Sequence, residues 1–270
     1  MKQRSLRWLF GVAVVLGAWL GAGNYSEAAA KTAPSKEMHH RVNTKRGPVY
    51  VYRPAGVSPV FTVVYVHGFY NNVDSAWQEH ELAAKFARSQ LPATFVAPEA
   101  PASPQENVVW PDLEELLSTV RAAKPKAFSR RGPVVLMGHS AAYRTIVSWL
   151  KHPRVTEIFL VDALYGFEDD YATWLKQSDD HRMVLVVKTT AEWATPFVKR
   201  FRSAIKLDEI PVTPTSRLRH AHLVRMNTAF DHMALVKEPQ PLVSLLRLSR
   251  YAPALNKVNA AKVSSATGDR

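Results

Sequence analysis

Three side chains, far apart in this sequence, have the types and settings that nucleophilic acyl chemistry requires. A serine hydroxyl is a poor nucleophile at neutral pH, so it needs a positioned base, and the base needs an acid to orient it. Ser140 lies in Gly138-His139-Ser140-Ala141-Ala142. Apolar residues 134–137 precede it as a short buried strand, and residues 143–151 follow with helical spacing. Strand, tight turn with a serine at its tip, then helix is the geometry that exposes a nucleophile. So sharp a turn demands small residues two before and two after the serine. Gly138 and Ala142 meet that demand, with Ala142 standing where a second glycine is usual. The competing reading is that Ser140 merely caps the helix.

The best base is His232, in Ala229-Phe230-Asp231-His232-Met233, just after the last predicted strand, 222–226. In isolation it would read as a surface histidine beside Asp231. Two acids compete to orient it. Asp162 ends the predicted strand 156–161 among apolar residues, where a carboxylate is costly to bury unless paired. Glu192 follows the next strand, 183–187, in the polar setting of a solvated loop, so Asp162 is preferred and Glu192 is the alternative. A developing oxyanion also needs donors. The backbone N–H of Ala141 is one. The other is that of Phe69, after Gly68, whose lack of a Cβ lets the chain turn there. The His67 side chain reads as structural.

The elements that must hold these groups alternate. Strands are predicted over 49–52, 60–66, 94–97, 134–137, 156–161, 183–187 and 222–226. Helices are predicted from a cap at Asp74 through Ala87, then over 112–123, 143–151, 167–176, 194–205 and 239–248. Strands and helices in alternation predict a three-layer α/β/α sandwich with a mostly parallel sheet. Ligands in such sheets bind at the carboxyl ends of the strands, where the residues above fall. The stretch between Asp162 and Met183 is too short for a large cap domain.

The strand-His-Gly-aromatic loop (His67-Gly68-Phe69), the Gly-His-Ser-Ala-Ala turn and the late Asp231-His232 together resemble the α/β-hydrolase superfamily over residues 48–250. That resemblance implies a serine esterase or related acyl hydrolase with a Ser-His-acid triad and no cofactor. An acid at Asp162 sits one strand earlier than in most members. The implied substrate is a small-molecule or polymer ester, with amides and thioesters open to the same machinery.

Residues 1–30 read as a secretory signal peptide: basic Lys2, Arg4 and Arg7, an apolar stretch over 8–22, and small residues ending at Ala30. Cleavage after Ala30 would place the protein in the periplasm or outside the cell, with no stable membrane span; the alternative is an uncleaved anchor. Residues 31–47 read as a flexible lead-in and 251–270 as a disordered basic tail. The chain has no cysteine, which excludes disulfides, thiol nucleophiles and thiolate metal sites. Its formal charge is +12, and removal of residues 1–30 leaves +10. Outside the cytoplasm that charge suits an anionic cell-envelope surface. Basic residues without interleaved exposed aromatics give no support to nucleic-acid binding.

Two further readings compete. His220-Ala221-His222, if extended, puts two imidazoles on one face, and Asp231 or His232 could complete a zinc site. No metal is the preferred expectation. The other is a non-catalytic hydrolase-like scaffold that binds wall or surface polymers through its basic face and Trp77, Trp110, Trp149, Trp174 and Trp193.

Overall fold

The computed structural model describes residues 36–128 and 132–253. All of them lie in one compact unit. The expected signal peptide, 1–30, and most of the expected tail, 254–270, lie outside the described residues.

One sheet contains β1 (Met38–Val42), β2 (Val49–Arg53), β3 (Phe61–Val66), β4 (Ala93–Pro98), β5 (Val134–His139), β6 (Val155–Val161), β7 (Arg182–Val187), β8 (Ile205–Leu207) and β9 (Leu223–Asn227). Their spatial order is β1-β2-β4-β3-β5-β6-β7-β9-β8. The pairs β1–β2 and β2–β4 are antiparallel, and every other pair is parallel. The helices are α1 (Val73–Glu79), α2 (Leu82–Ser89), α3 (Leu113–Ala123), α4 (Tyr143–Ser148), α5 (Glu168–Lys176), α6 (Ala191–Lys199), α7 (Ser216–His220), α8 (Ala234–Lys237) and α9 (Pro239–Arg247).

Why the sheet needs both covering layers is visible in β3 and β5, which are apolar on both faces and wholly buried. Successive side chains point to opposite faces. Val64, Leu136 and Leu160 therefore enter one core with Leu116, Ile146, Trp174 and Phe197 of α3 to α6. Val63, Met137 and Phe159 enter the other with Trp77, Phe86, Leu235 and Leu245 of α1, α2, α8 and α9. The result is the expected α/β/α sandwich. Between β6 and β7 the chain forms only α5, with no cap domain.

Four local expectations need correction. The lead-in contains a strand, β1, invisible to hydrophobic patterning because its residues are mostly polar. It is held by pairing to β2, by packing of His39 on Trp77 with ring centroids 5.2 Å apart, and by the Arg41–Asp74 ion pair at 2.7 Å. Asp74 is thus not a cap; the Asn72 side chain accepts from the Ser75 N–H instead. The helix that follows is broken in two, with Glu81 at φ +48° between α1 and α2. The helix expected over 194–205 ends at Lys199, and Ile205 opens β8, a strand too short to show a period.

Candidate active site

The residue after each of two central strands turns into the left-handed region. Ser140 follows β5 at φ +56°, and Asp162 follows β6 at φ +46°. For a non-glycine residue this conformation is costly and persists where surrounding packing enforces it. Around Ser140 the packing is explicit. A methyl added at Gly138 would lie 2.5 Å from Ile146 Cδ1 and 2.7 Å from the Ala142 Cβ. The 138/142 pair therefore has room for one methyl, and the sequence places it at 142. A methyl at Gly68 would lie 2.6 Å from the Ser140 Cβ. Gly68 is required by the close approach of the serine, and no left-handed turn is involved.

Asp162 is fully buried and accepts six hydrogen bonds. Oδ1 receives the N–H groups of Lys188 (2.9 Å), Thr189 (2.9 Å) and Thr190 (3.1 Å) and the Thr190 hydroxyl (3.0 Å). Oδ2 receives the Thr189 hydroxyl at 2.8 Å and His232 Nδ1 at 2.7 Å. Burial alone would raise the carboxyl pKa. The bonds from His232, from the Lys188 amide and from Thr189 overcome it and hold the group well below the usual carboxylate range. The turn from β7 into α6 thus wraps the end of β6. Thr189 and Thr190 were missed in the sequence, where two threonines after a strand read as ordinary loop. In turn, the Tyr165 hydroxyl donates to Thr189 Oγ1 at 2.5 Å.

His232 is positioned from two sides. Its Nδ1–H is fixed by Asp162, which leaves Nε2 as the free ring nitrogen. Its carbonyl accepts from His139 Nε2 at 3.0 Å, and the two imidazole centroids are 4.4 Å apart. His139 is buried, and burial together with the adjacent His232 pushes its pKa down to about 3, so it is a neutral donor. Helix α8 starts two residues beyond His232. Its last carbonyls, those of Val236 and Lys237, each accept from the buried Lys85 Nζ at 2.7 Å.

Ser140 and His232 line one cavity of about 480 Å³, together with Gly68, Phe69 and His139. Among the described residues no hydrogen bond joins the Ser140 hydroxyl to His232. Such bonds are often long in ligand-free sites and tighten with substrate. Ala141 follows Ser140 in the turn and is buried. His67 is also buried: Nδ1 donates to the Gly68 carbonyl at 2.8 Å, and Nε2 lies 3.0 Å from Glu99. That arrangement holds the loop carrying Gly68 and Phe69.

Other candidates lie elsewhere. Glu192 is exposed in the first turn of α6, while His232 bonds Asp162 instead. His220 ends α7, and its Nδ1 bonds the Ser216 carbonyl at 2.8 Å, so the His220/His222 pair is not an extended face. Among the described residues no group of three or more His, Asp or Glu could hold a metal. Trp77, Trp110, Trp149 and Trp174 are core residues, which removes them as a polymer-stacking surface.

Comparison with known proteins follows the same lines. The model of a family described as "Alpha/beta hydrolase family" matches residues 63–264. No curated protein matches the chain. Among solved structures, the feruloyl esterase module from Clostridium thermocellum is similar with a TM-score of 0.56 and 11% identity, covering 83% of this chain and 90% of that one. A ferulic acid esterase is similar at 0.53 and 9% identity, covering 78% and 98%. An S-formylglutathione hydrolase from Agrobacterium tumefaciens is similar at 0.53 and 10% identity, covering 82% and 99%. At such identities the likeness is one of fold.

Proposed function

The chain belongs to the alpha/beta hydrolase family, and from that premise we propose that it is an exported serine hydrolase of ester bonds. One observation carries the reading. The imidazole of His232 is anchored through Nδ1 to a buried, ionised Asp162 and shares a cavity with Ser140 at the strained tip of its turn.

In the proposed reaction Ser140 Oγ attacks the ester carbonyl while His232 Nε2 takes its proton. The imidazolium formed is stabilised by Asp162, which stays ionised. The backbone N–H groups of Phe69 and Ala141 receive the oxyanion, a contribution of about 3–4 kcal/mol when one such donor is lost. The C–O bond to the alcohol then breaks, and the alcohol leaves with the proton from His232. Water, deprotonated by His232, attacks the acyl-serine and releases the acid, and the proton returns to Ser140. No step needs a cofactor. Amides and thioesters could be cleaved by the same groups, and cavity shape decides among them.

Export rests on the charge and apolar pattern of residues 1–30, which lie outside the described residues. Among the described residues no helix is long and apolar enough to cross a membrane. An anionic envelope surface is the partner the +10 charge would suit.

The test is hydrolysis of p-nitrophenyl acetate by the protein without residues 1–30. The reading expects turnover that Ser140→Ala and His232→Ala each abolish. Turnover that survives Ser140→Ala would refute it.

A further inference from the structure

The wall of the cavity beside Ser140 carries many polar side chains. Here Met233 is the sole aliphatic side chain among the described lining residues, and it is half-exposed at the rim. The remainder of the wall beyond the catalytic groups is built from Asn71, Asn72, Ser75, Glu79, His80 and Lys237, with Phe69 and Tyr70 at one side.

The hydrogen bonds already made by these groups show what they have left to offer. Asn71 Oδ1 accepts from the Asn72 N–H at 2.9 Å, and Asn72 Oδ1 accepts from the Ser75 N–H at 2.9 Å. Both amides therefore keep their NH2 groups free as donors. Glu79 and Lys237 meet at 2.9 Å on the same wall and are each about half exposed, leaving an acceptor and a donor.

His80 is the most telling of them. It is 1% exposed, and its Nδ1 lies 3.1 Å from the hydroxyl of the buried Tyr65. That contact occupies Nδ1, and which of the two atoms donates depends on the tautomer of the ring. Nε2 has no partner. Burial, with the nearby Lys85, pushes the pKa of His80 down to about 4, so the ring is neutral and Nε2 can donate or accept according to its tautomer. A buried polar atom left without a partner is costly, and in native proteins such groups call for an explanation.

We infer that this cavity is a subsite for a hydroxyl-rich alcohol, a polyol or sugar-type group carried as the ester's leaving half, and that His80 is one of the residues that binds it. The inference rests on the hydrolase reading given above. Free donors (two amides and an ammonium) outnumber the one carboxylate, which suits a group rich in hydroxyl and ether oxygens, and His80 Nε2 can pair with either the oxygen or the proton of a hydroxyl. Glu79 takes hydroxyl protons in return. The alcohol half is assigned because His232, which would protonate the departing oxygen, lines this cavity together with Met233 and Lys237, which follow it in the chain. An alkyl chain in the same place would strip these groups of water and leave them unpaired. A site built to bond a hydroxyl rejects the analogue lacking it much more strongly than an apolar pocket rejects a changed methylene.

The experiment compares methyl 6-O-acetyl-glucoside with cyclohexylmethyl acetate, which has a similar ring and no hydroxyls. The ratio of their kcat/KM values is read for the wild type, His80→Phe and Lys237→Met. The wild type is expected to favour the sugar ester by about 10²-fold. Each variant is expected to lower the ratio about five- to tenfold, through KM for the sugar ester. Lys237 is at the surface, so that variant decides the matter if His80→Phe fails to fold. Equal or faster cleavage of the cyclohexyl ester by the wild type overturns the subsite while leaving the hydrolase reading intact. A ratio unchanged in both variants overturns it too. If neither ester is cleaved, saturation-transfer NMR with methyl glucoside decides independently. A signal in the wild type that weakens in the variants supports the subsite, and no signal in the wild type overturns it.

Discussion

His232 Nδ1 and Asp162 Oδ2 lie 2.7 Å apart although 70 residues separate them in sequence, and the acid directly follows β6 while Glu192 sits one strand later and exposed. An amide at 162 keeps the shape of the side chain but offers the wrong partner to Nδ1–H, favouring the other tautomer of His232. Asp162→Asn is therefore expected to lower kcat on p-nitrophenyl acetate by about 10³–10⁴-fold, as tautomer loss does in other triads. Glu192→Gln is expected to change it by less than about twofold, as for a surface site. The reverse ranking would move the acid to 192.

Acid stability follows from the same carboxylate. Its folded-state pKa is depressed, so the folded state binds the proton less readily than the unfolded chain, where an aspartate titrates near about 3.9. Asp162 therefore contributes stability that is fully present well above pH ~4 and is lost as the pH falls through that value toward the folded pKa. Urea midpoints of the wild type and Asp162→Asn, measured from pH 7 down to pH 2, are expected to differ most near neutrality and to converge below pH ~4. A difference that stays constant would show that Asp162 is not the group being titrated.

Crowding at the serine turn makes a separate prediction about packing. Gly138→Ala places a second methyl where there is room for one, at an expected cost of about 1–3 kcal/mol in unfolding free energy. Adding Ala142→Gly removes the 2.7 Å contact and is expected to recover part of that loss, so the double variant is more stable than the sum of the single effects implies. Strict additivity in a denaturant titration would mean that the two positions do not compete for the same space.

The central strands were legible because buried parallel strands are written as apolar runs, as in residues 63–66 and 134–137. The turn at Ser140 was legible because steric limits at 138 and 142 select small residues. Strand β1 was not, since its stability comes from pairing to β2 and from the contacts of His39 and Arg41 with distant residues. The surroundings of Asp162 were not legible for a similar reason. The Lys188, Thr189 and Thr190 backbone donors belong to the next strand's turn, and no local pattern marks a main-chain N–H that a remote carboxylate will use. His80 was passed over because its significance lies in an unmade bond, which only coordinates reveal.

The central claim, that Ser140 is a nucleophile activated by His232, is tested most directly by reacting the folded protein with a fluorophosphonate and locating the adduct by peptide mass spectrometry. The account predicts one stoichiometric adduct on Ser140, absent from Ser140→Ala and strongly slowed in His232→Ala. A folded wild type that takes up no label, or a label that persists in Ser140→Ala, would contradict it.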